Sequence, residues 1–290
     1  MVYDADMSSP PSAAYSPTVR RKRLSRELIA LREKAGLTPA QVAASHHRDR
    51  NWINRIENGT RKRPHIAEVA SLLDLYGVTE ESAPEQRAAV LELTRQARQR
   101  GWWDRYGDVL DTEGYVGLEV EASRISTYQP QVLPGLLQTA DYTAESARAA
   151  INPPAEVDRV IHTRAERQKI LTRGEAPPRV WAVIDEAVLA RGASESVMRA
   201  QIERLVELSE LPNVTIQILP FSSGLHAGMH GPFVLLEFPA DTPVVFLESM
   251  RNSLYLEEPG IVDEYRTILG HIQTSALTAV ESVDHLKRLI

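Results

Sequence analysis

The sequence predicts an α+β protein: an N-terminal all-α domain of five helices, then a mixed α+β domain with a mostly antiparallel sheet. Three observations carry this. From Ser25 to Arg100 apolar residues recur at helical spacing. Runs of strand character begin at Val180, after a series of helical patterns, and then cluster, which favours antiparallel pairing. Charge divides along a similar line. The chain carries −6 overall, but Val19 to Pro64 holds 13 Lys and Arg against 4 Asp and Glu, a local +9 that leaves −15 for the remainder.

Taken in order, residues 1–18 are rich in Ser, Pro and Ala and read as a disordered tail. The cluster Arg20 to Arg23 either touches phosphates or is a solvated lead-in. Ser25 caps a helix through Ala35, with Gly36 as its stop. Thr38 caps a short helix, with Pro39 at its first position and Gln41 closing a capping box. His46 to Arg48 form a tight turn. His47 lies in this turn, and His tolerates positive φ better than most residues. Asp49 caps a second helix with Ile53 and Ile56 inward and Arg50, Asn51, Asn54 and Arg55 outward. Gly59 ends it as a left-handed cap and Pro64 delays the next helix. Ile66 to Gly77 and Pro84 to Arg100 complete five helices over residues 19–100.

Two short helices joined by a tight turn, the second presenting Arg and Asn outward, match the helix-turn-helix that reads the DNA major groove. Ile53 to Gly59, preceded by Leu37-Thr38 and Gln41-Val42-Ala43, resembles the phage-repressor-like (Xre-type) family. The resemblance implies base contacts from Arg50, Asn51 and Arg55. Trp52 either touches a thymine methyl or packs on the preceding helix. Thr38, Gln41, Asn54, Arg61, Lys62 and Arg63 are the expected phosphate contacts. Pro39 replaces a polar residue that often contacts phosphate in that family.

Residues 101–114, with Trp102, Trp103 and three aspartates, read as an interdomain joint. Residues 115–290 form the second domain. Helical patterns appear at Tyr115 to Ser123, Thr139 to Ala149, Ala155 to Leu171, Ser194 to Leu208 and Pro259 to Ile272. Strands are expected at Val180 to Ile184, Val214 to Leu219, Phe233 to Phe238, Val244 to Leu247 and Leu254 to Leu256. Gly117 to Ser123, Val132 to Thr139, Arg164 to Gln168, His226 to Gly228 and Gly231 to Phe233 resemble the effector domain of a large actinobacterial group of antitoxin-like or developmental regulators. The resemblance implies a small protein partner encoded nearby.

No catalytic motif of the nucleotide-binding, dinucleotide-binding or hydrolase-elbow kind occurs. Without cysteine there is no disulfide, thiolate zinc site or cysteine nucleophile. His226 and His230 have a metal-like spacing, but the intervening glycine opposes the helix that this spacing needs. Gly224 to Gly231 is expected as a mobile loop, with His226, Met229 and His230 facing a partner or ligand. Asp185, Glu186, Glu237 and Glu248 are read as edge charges rather than general acids or bases. No cofactor, metal or membrane contact is expected; the N-terminus lacks a signal-peptide pattern, and a prokaryotic cytoplasm is the expected compartment. The expected function is a dimeric, sequence-specific transcriptional regulator of a double-stranded DNA operator. A DNA-tethered hydrolase or transferase is the alternative, and a partner-neutralising antitoxin is a third possibility.

Overall fold

The computed structural model describes residues 17–61, 63–98, 115–150, 153–174, 176–191, 193–239, 241–248 and 253–290. The chain separates into two compact units, Met1–Gly101 and Trp102–Ile290. The expected tail lies almost wholly outside the described residues, as does the expected joint with its tryptophans.

The first unit is helical: α1 (Pro17–Lys34), α2 (Pro39–Ser45), α3 (Arg50–Glu57), α4 (Ile66–Leu75) and α5 (Pro84–Ala97). Helix α1 begins eight residues before Ser25, the expected cap. The basic cluster is therefore helical, and Arg20 is buried in it rather than offered to solvent or phosphate. Leu28, Ile53, Leu72, Leu73 and Val90 converge in one core, so the short helices α2 and α3 owe their stability to packing rather than to length.

The second unit holds α6 (Tyr115–Glu121), β1 (Arg124–Gln129), α7 (Ala140–Ala149), α8 (Pro154–Gln168), β2 (Arg179–Asp185), α9 (Glu186–Arg191), α10 (Glu195–Ser209), β3 (Val214–Leu219), β4 (Phe233–Glu237), β5 (Val244–Glu248), β6 (Ser253–Leu256), α11 (Pro259–Ser275) and α12 (Ala279–Lys287). The six strands form one sheet in the order β3-β2-β1-β4-β5-β6. β1 pairs parallel with β2, and β2 with β3; the other three pairings are antiparallel. The chain is thus α+β with a mostly antiparallel sheet. The parallel pairs follow from the helices between β1, β2 and β3, which provide the long crossovers that parallel strands need.

One face of the sheet, with Tyr128, Val183, Phe233, Leu235 and Val245, packs under Val262, Leu269 and Ile272 of α11. The edge of β3 is covered. The Ile218 N–H donates to Ser282 Oγ at 2.9 Å and its carbonyl accepts from Leu277 N at 2.9 Å. Gln217 adds a bond from Nε2 to the Leu277 carbonyl at 2.8 Å. Strand edges left bare invite pairing with other chains, and this one is closed by the segment leading into α12.

Candidate nucleic-acid interface

The turn between α2 and α3 is built by its own side chains. Thr38 Oγ1 accepts from Gln41 N, while Gln41 Oε1 accepts from Thr38 N, completing the capping box. Asp49 Oδ1 accepts from Trp52 N at 2.8 Å and caps α3. His47 has φ 51°, the left-handed conformation that the turn requires. His46 is half-buried between the Val42 carbonyl and Ser71 Oγ, each 3.0 Å from a ring nitrogen. Gly59, at φ +66°, ends α3 as a left-handed residue.

Two polar clusters, one buried and one half-buried, fix α3 from behind. Arg32 Nε lies 2.6 Å from Glu57 Oε1, with the two side chains only 9% and 6% exposed. Arg32 also donates to the Leu37 carbonyl at 2.8 Å, and Ser25 donates to the Glu57 carbonyl. One ion pair thereby joins α1, the entry to α2 and the end of α3. In the second cluster Glu68 on α4 accepts from Trp52 Nε1 at 3.2 Å and pairs with Arg61 at 2.7 Å. Burial pushes the Glu68 carboxyl up, but the Trp52 and Arg61 donors outweigh it and hold it below the usual carboxylate range.

These clusters sort the expected contact residues. Arg50, Asn51 and Arg55 are exposed, and Asn54 is half-exposed. Trp52 is buried, with its ring 5.2 Å from that of His46, as the packing alternative expects. Thr38 and Gln41 are exposed at the start of α2, although their oxygens serve the cap. Arg61, expected as a phosphate clamp, pairs with Glu68 across a half-exposed contact. Arg63 is exposed, and Lys62 lies outside the described residues. Arg48 is an exposed cation just ahead of the Asp49 cap that the sequence reading did not single out.

In the second unit the expected partner loop is anchored rather than loose. Phe221–Ser223 and Ala227–His230 form two short 3-10 turns. A methyl on Gly228 would lie 2.6 Å from Tyr128 Cε1, so only glycine lets this backbone approach the ring. The His226 side chain is only 7% exposed, with Nε2 3.7 Å from Asp185 and Nδ1 accepting from Gly228 N at 3.1 Å. It holds the loop from inside. Met229 and His230 are exposed, as are Phe221 and Leu225, the latter at 90%. Asp185 also accepts from Tyr128 Oη at 3.1 Å and from Ala187 N at 2.9 Å. Glu186 accepts from Phe221 N at 2.7 Å, and Glu237 pairs with Arg266 at 2.9 Å. These carboxylates, read from sequence as edge charges, hold loop and helix in place.

Comparison with known families matches residues 23–86 to a helix-turn-helix domain, the architecture of DNA-binding regulators. Residues 112–288 match a domain of unknown function, DUF5753. The chain belongs to the DUF5753 family. No curated protein and no solved structure matches it. Within the DUF5753 unit, segments far apart in the sequence meet around α8. Arg167 binds both oxygens of Glu119 on α6 at 2.8 Å. Gln168 donates to the carbonyls of Gly135 and Gln138 at 3.0 and 2.7 Å. Arg164 donates to Gln138 Oε1. Three of the segments that carried the effector-domain resemblance are therefore one polar joint of the DUF5753 fold. No helix among the described residues is long and apolar enough to cross a membrane.

Proposed function

We propose that this chain is a sequence-specific transcriptional regulator: α3 reads an operator, while the acidic second unit dimerises and senses a small protein partner or ligand. The observation that carries this is the outer face of α3. Arg50, Asn51 and Arg55 stand exposed on a helix held from behind by Glu57 and Trp52. Arg bonds guanine bidentately and Asn does the same to adenine, so this face has the chemistry of base reading. Arg48 and Arg63 add exposed positive charge for the backbone. Thr38, Gln41 and Asn54 supply neutral phosphate contacts, and Lys62 a further cationic one. An antitoxin-like role, in the cytoplasm of an actinobacterium, agrees with the sequence resemblance. The partner would meet Met229 and His230, where Phe221 and Leu225 widen an exposed apolar surface.

The test is operator selection from a random duplex library, followed by competition binding. Arg50→Ala and Asn51→Ala should each flatten preference at one base pair by about 1–3 kcal/mol. Wild-type selectivity in both variants would exclude α3 as the reader.

A further inference from the structure

Residues 115–290 hold 23 Asp and Glu against 15 Lys and Arg, a balance of −8. Three stretches stand apart from that acidity: residues 125–140, 211–236 and 267–280 contain none of these four residue types. They meet where the parallel strands β1, β2 and β3 finish. A methyl on Gly228 would touch Tyr128 of β1 and Ile272 of α11. Ser223 Oγ donates to the Ser275 carbonyl at 2.8 Å. Ser282, in the first turns of α12, accepts from Ile218 N near the end of β3. On this neutral ground Phe221, Leu225 and Met229 are 62%, 90% and 60% exposed, and Val280 of α12 is 73% exposed. Single exposed apolar residues are ordinary, but a group of large ones at one end of a fold marks an interaction surface. The backbone beneath them is tied down. Phe221 N donates to Glu186, Ser223 is held by α11, and Gly228 N donates to His226 Nδ1. The apolar tips therefore stand on a fixed frame, with little left to order on binding.

We propose that this end of the second unit docks a protein segment whose apolar stripe is bordered by lysines or arginines. The inference rests on the partner-sensing reading above and names the chemistry of the partner. Phe221, Leu225 and Met229 call for the stripe, and methionine adapts to irregular apolar surfaces. Charge calls for the border. Carboxylates flank the neutral ground: Asp185 and Glu186 where β2 ends, the latter beside His285, and Glu281 and Asp284 on the exposed side of α12. Glu281 and Asp284 are three apart and so share a face of that helix. Lys287 and Arg288 stand at its far end. A segment bordered by cations is drawn to such a field. Its stripe then covers ground where no charge of this unit has to leave water. A second copy would bring carboxylates against carboxylates across the same apolar ground, so charge disfavours self-pairing here.

The probe is a short helical peptide of leucine and lysine, its leucines in one stripe, titrated into the full chain and followed by fluorescence anisotropy. A peptide with the same stripe and glutamate in place of lysine is the comparison. The lysine peptide should bind saturably and more weakly as salt rises, and the glutamate peptide should bind about tenfold more weakly or not at all. Leu225→Ser combined with Met229→Ser should weaken the lysine peptide by about tenfold or more. Both side chains are exposed, so the double variant should keep the wild-type melting temperature. Leu289→Ser, at an exposed leucine beyond the far end of α12, is the control and should leave binding unchanged. No binding, equal binding of the two peptides, or binding that survives the double substitution overturns the proposal. A dimer that the double substitution turns into a monomer also overturns it and assigns this end to a second copy. Operator affinity with and without saturating peptide separates docking from sensing. Peptide binding that the double substitution removes, with operator affinity unchanged by the peptide, upholds the docking site and rejects its sensing role.

Discussion

Glu57 sits on the buried side of α3, the proposed reading helix. Its partner Arg32 reaches it from α1, and both are almost wholly buried. Removing one member of a buried pair leaves the other charged and unsolvated, at a cost of about 3–5 kcal/mol. Glu57→Ala should lose stability on that scale in urea unfolding of the first unit; a loss below about 1 kcal/mol would show that water reaches the pair. Glu68 gives a pH-dependent counterpart. Its folded pKa is depressed, so its stabilisation is present above the unfolded carboxylate value of about 4.3 and disappears as pH falls through the lower folded value. Glu68→Gln should therefore flatten the acid limb of stability against pH, and an unchanged limb would assign that limb to other carboxylates. The two arginines after Gly59 should separate cleanly. Arg63→Ala should lower the salt slope of DNA binding by about 0.9, while Arg61→Ala should cost stability and leave the slope alone. A reduced slope in Arg61→Ala would mean that Glu68 releases it to phosphate.

At the scale of elements, α2 and α3 were legible because their boundaries are set by local chemistry. Thr38, Asp49, His47 and Gly59 each occupy the cap or turn position that the sequence indicates. The helix-turn-helix could thus be read from side chains acting on their own backbone. Strand β1 could not. Ser126, Thr127 and Gln129 break its apolar pattern, yet Ser126 and Thr127 are buried at the centre of the sheet. Thr127 Oγ1 satisfies itself by donating to the Phe233 carbonyl at 3.1 Å, a partner more than a hundred residues away. Helix α12 was missed although Thr278 and Glu281 form a capping box visible in the sequence. Trp52 could not be oriented from spacing alone, because Glu68, its partner, lies in the next helix. The polar joint on α8 was visible as motif but not as chemistry, since Glu119, Gln138 and Arg167 meet only in the fold. The Gly228 approach offers a test of the anchored loop. Gly228→Ala would drive a methyl into Tyr128 and Ile272, and overpacking of this kind costs about 1–3 kcal/mol. Stability equal to wild type would mean that the loop lifts off its ring easily.

At the scale of the whole molecule, a single α3 spans only a few base pairs. Specific binding then calls for two copies on half-sites about 34 Å apart or a multiple of that. Sedimentation equilibrium of the full chain should show a dimer; a monomer at the concentrations that saturate the operator would reject this arrangement. The charge division favours such a design, because an acidic second unit is repelled by DNA and leaves docking to the basic one. Order of synthesis adds a consequence of the covered sheet edge. The segment that caps β3, from Leu277 to Ser282, follows all six described strands. While a ribosome is still making that segment, β3 stands with its outer N–H and carbonyl groups bare. Neighbouring nascent chains on one message would meet at that edge before either could close it, so slow translation after β6 should favour co-translational clumping over soluble product.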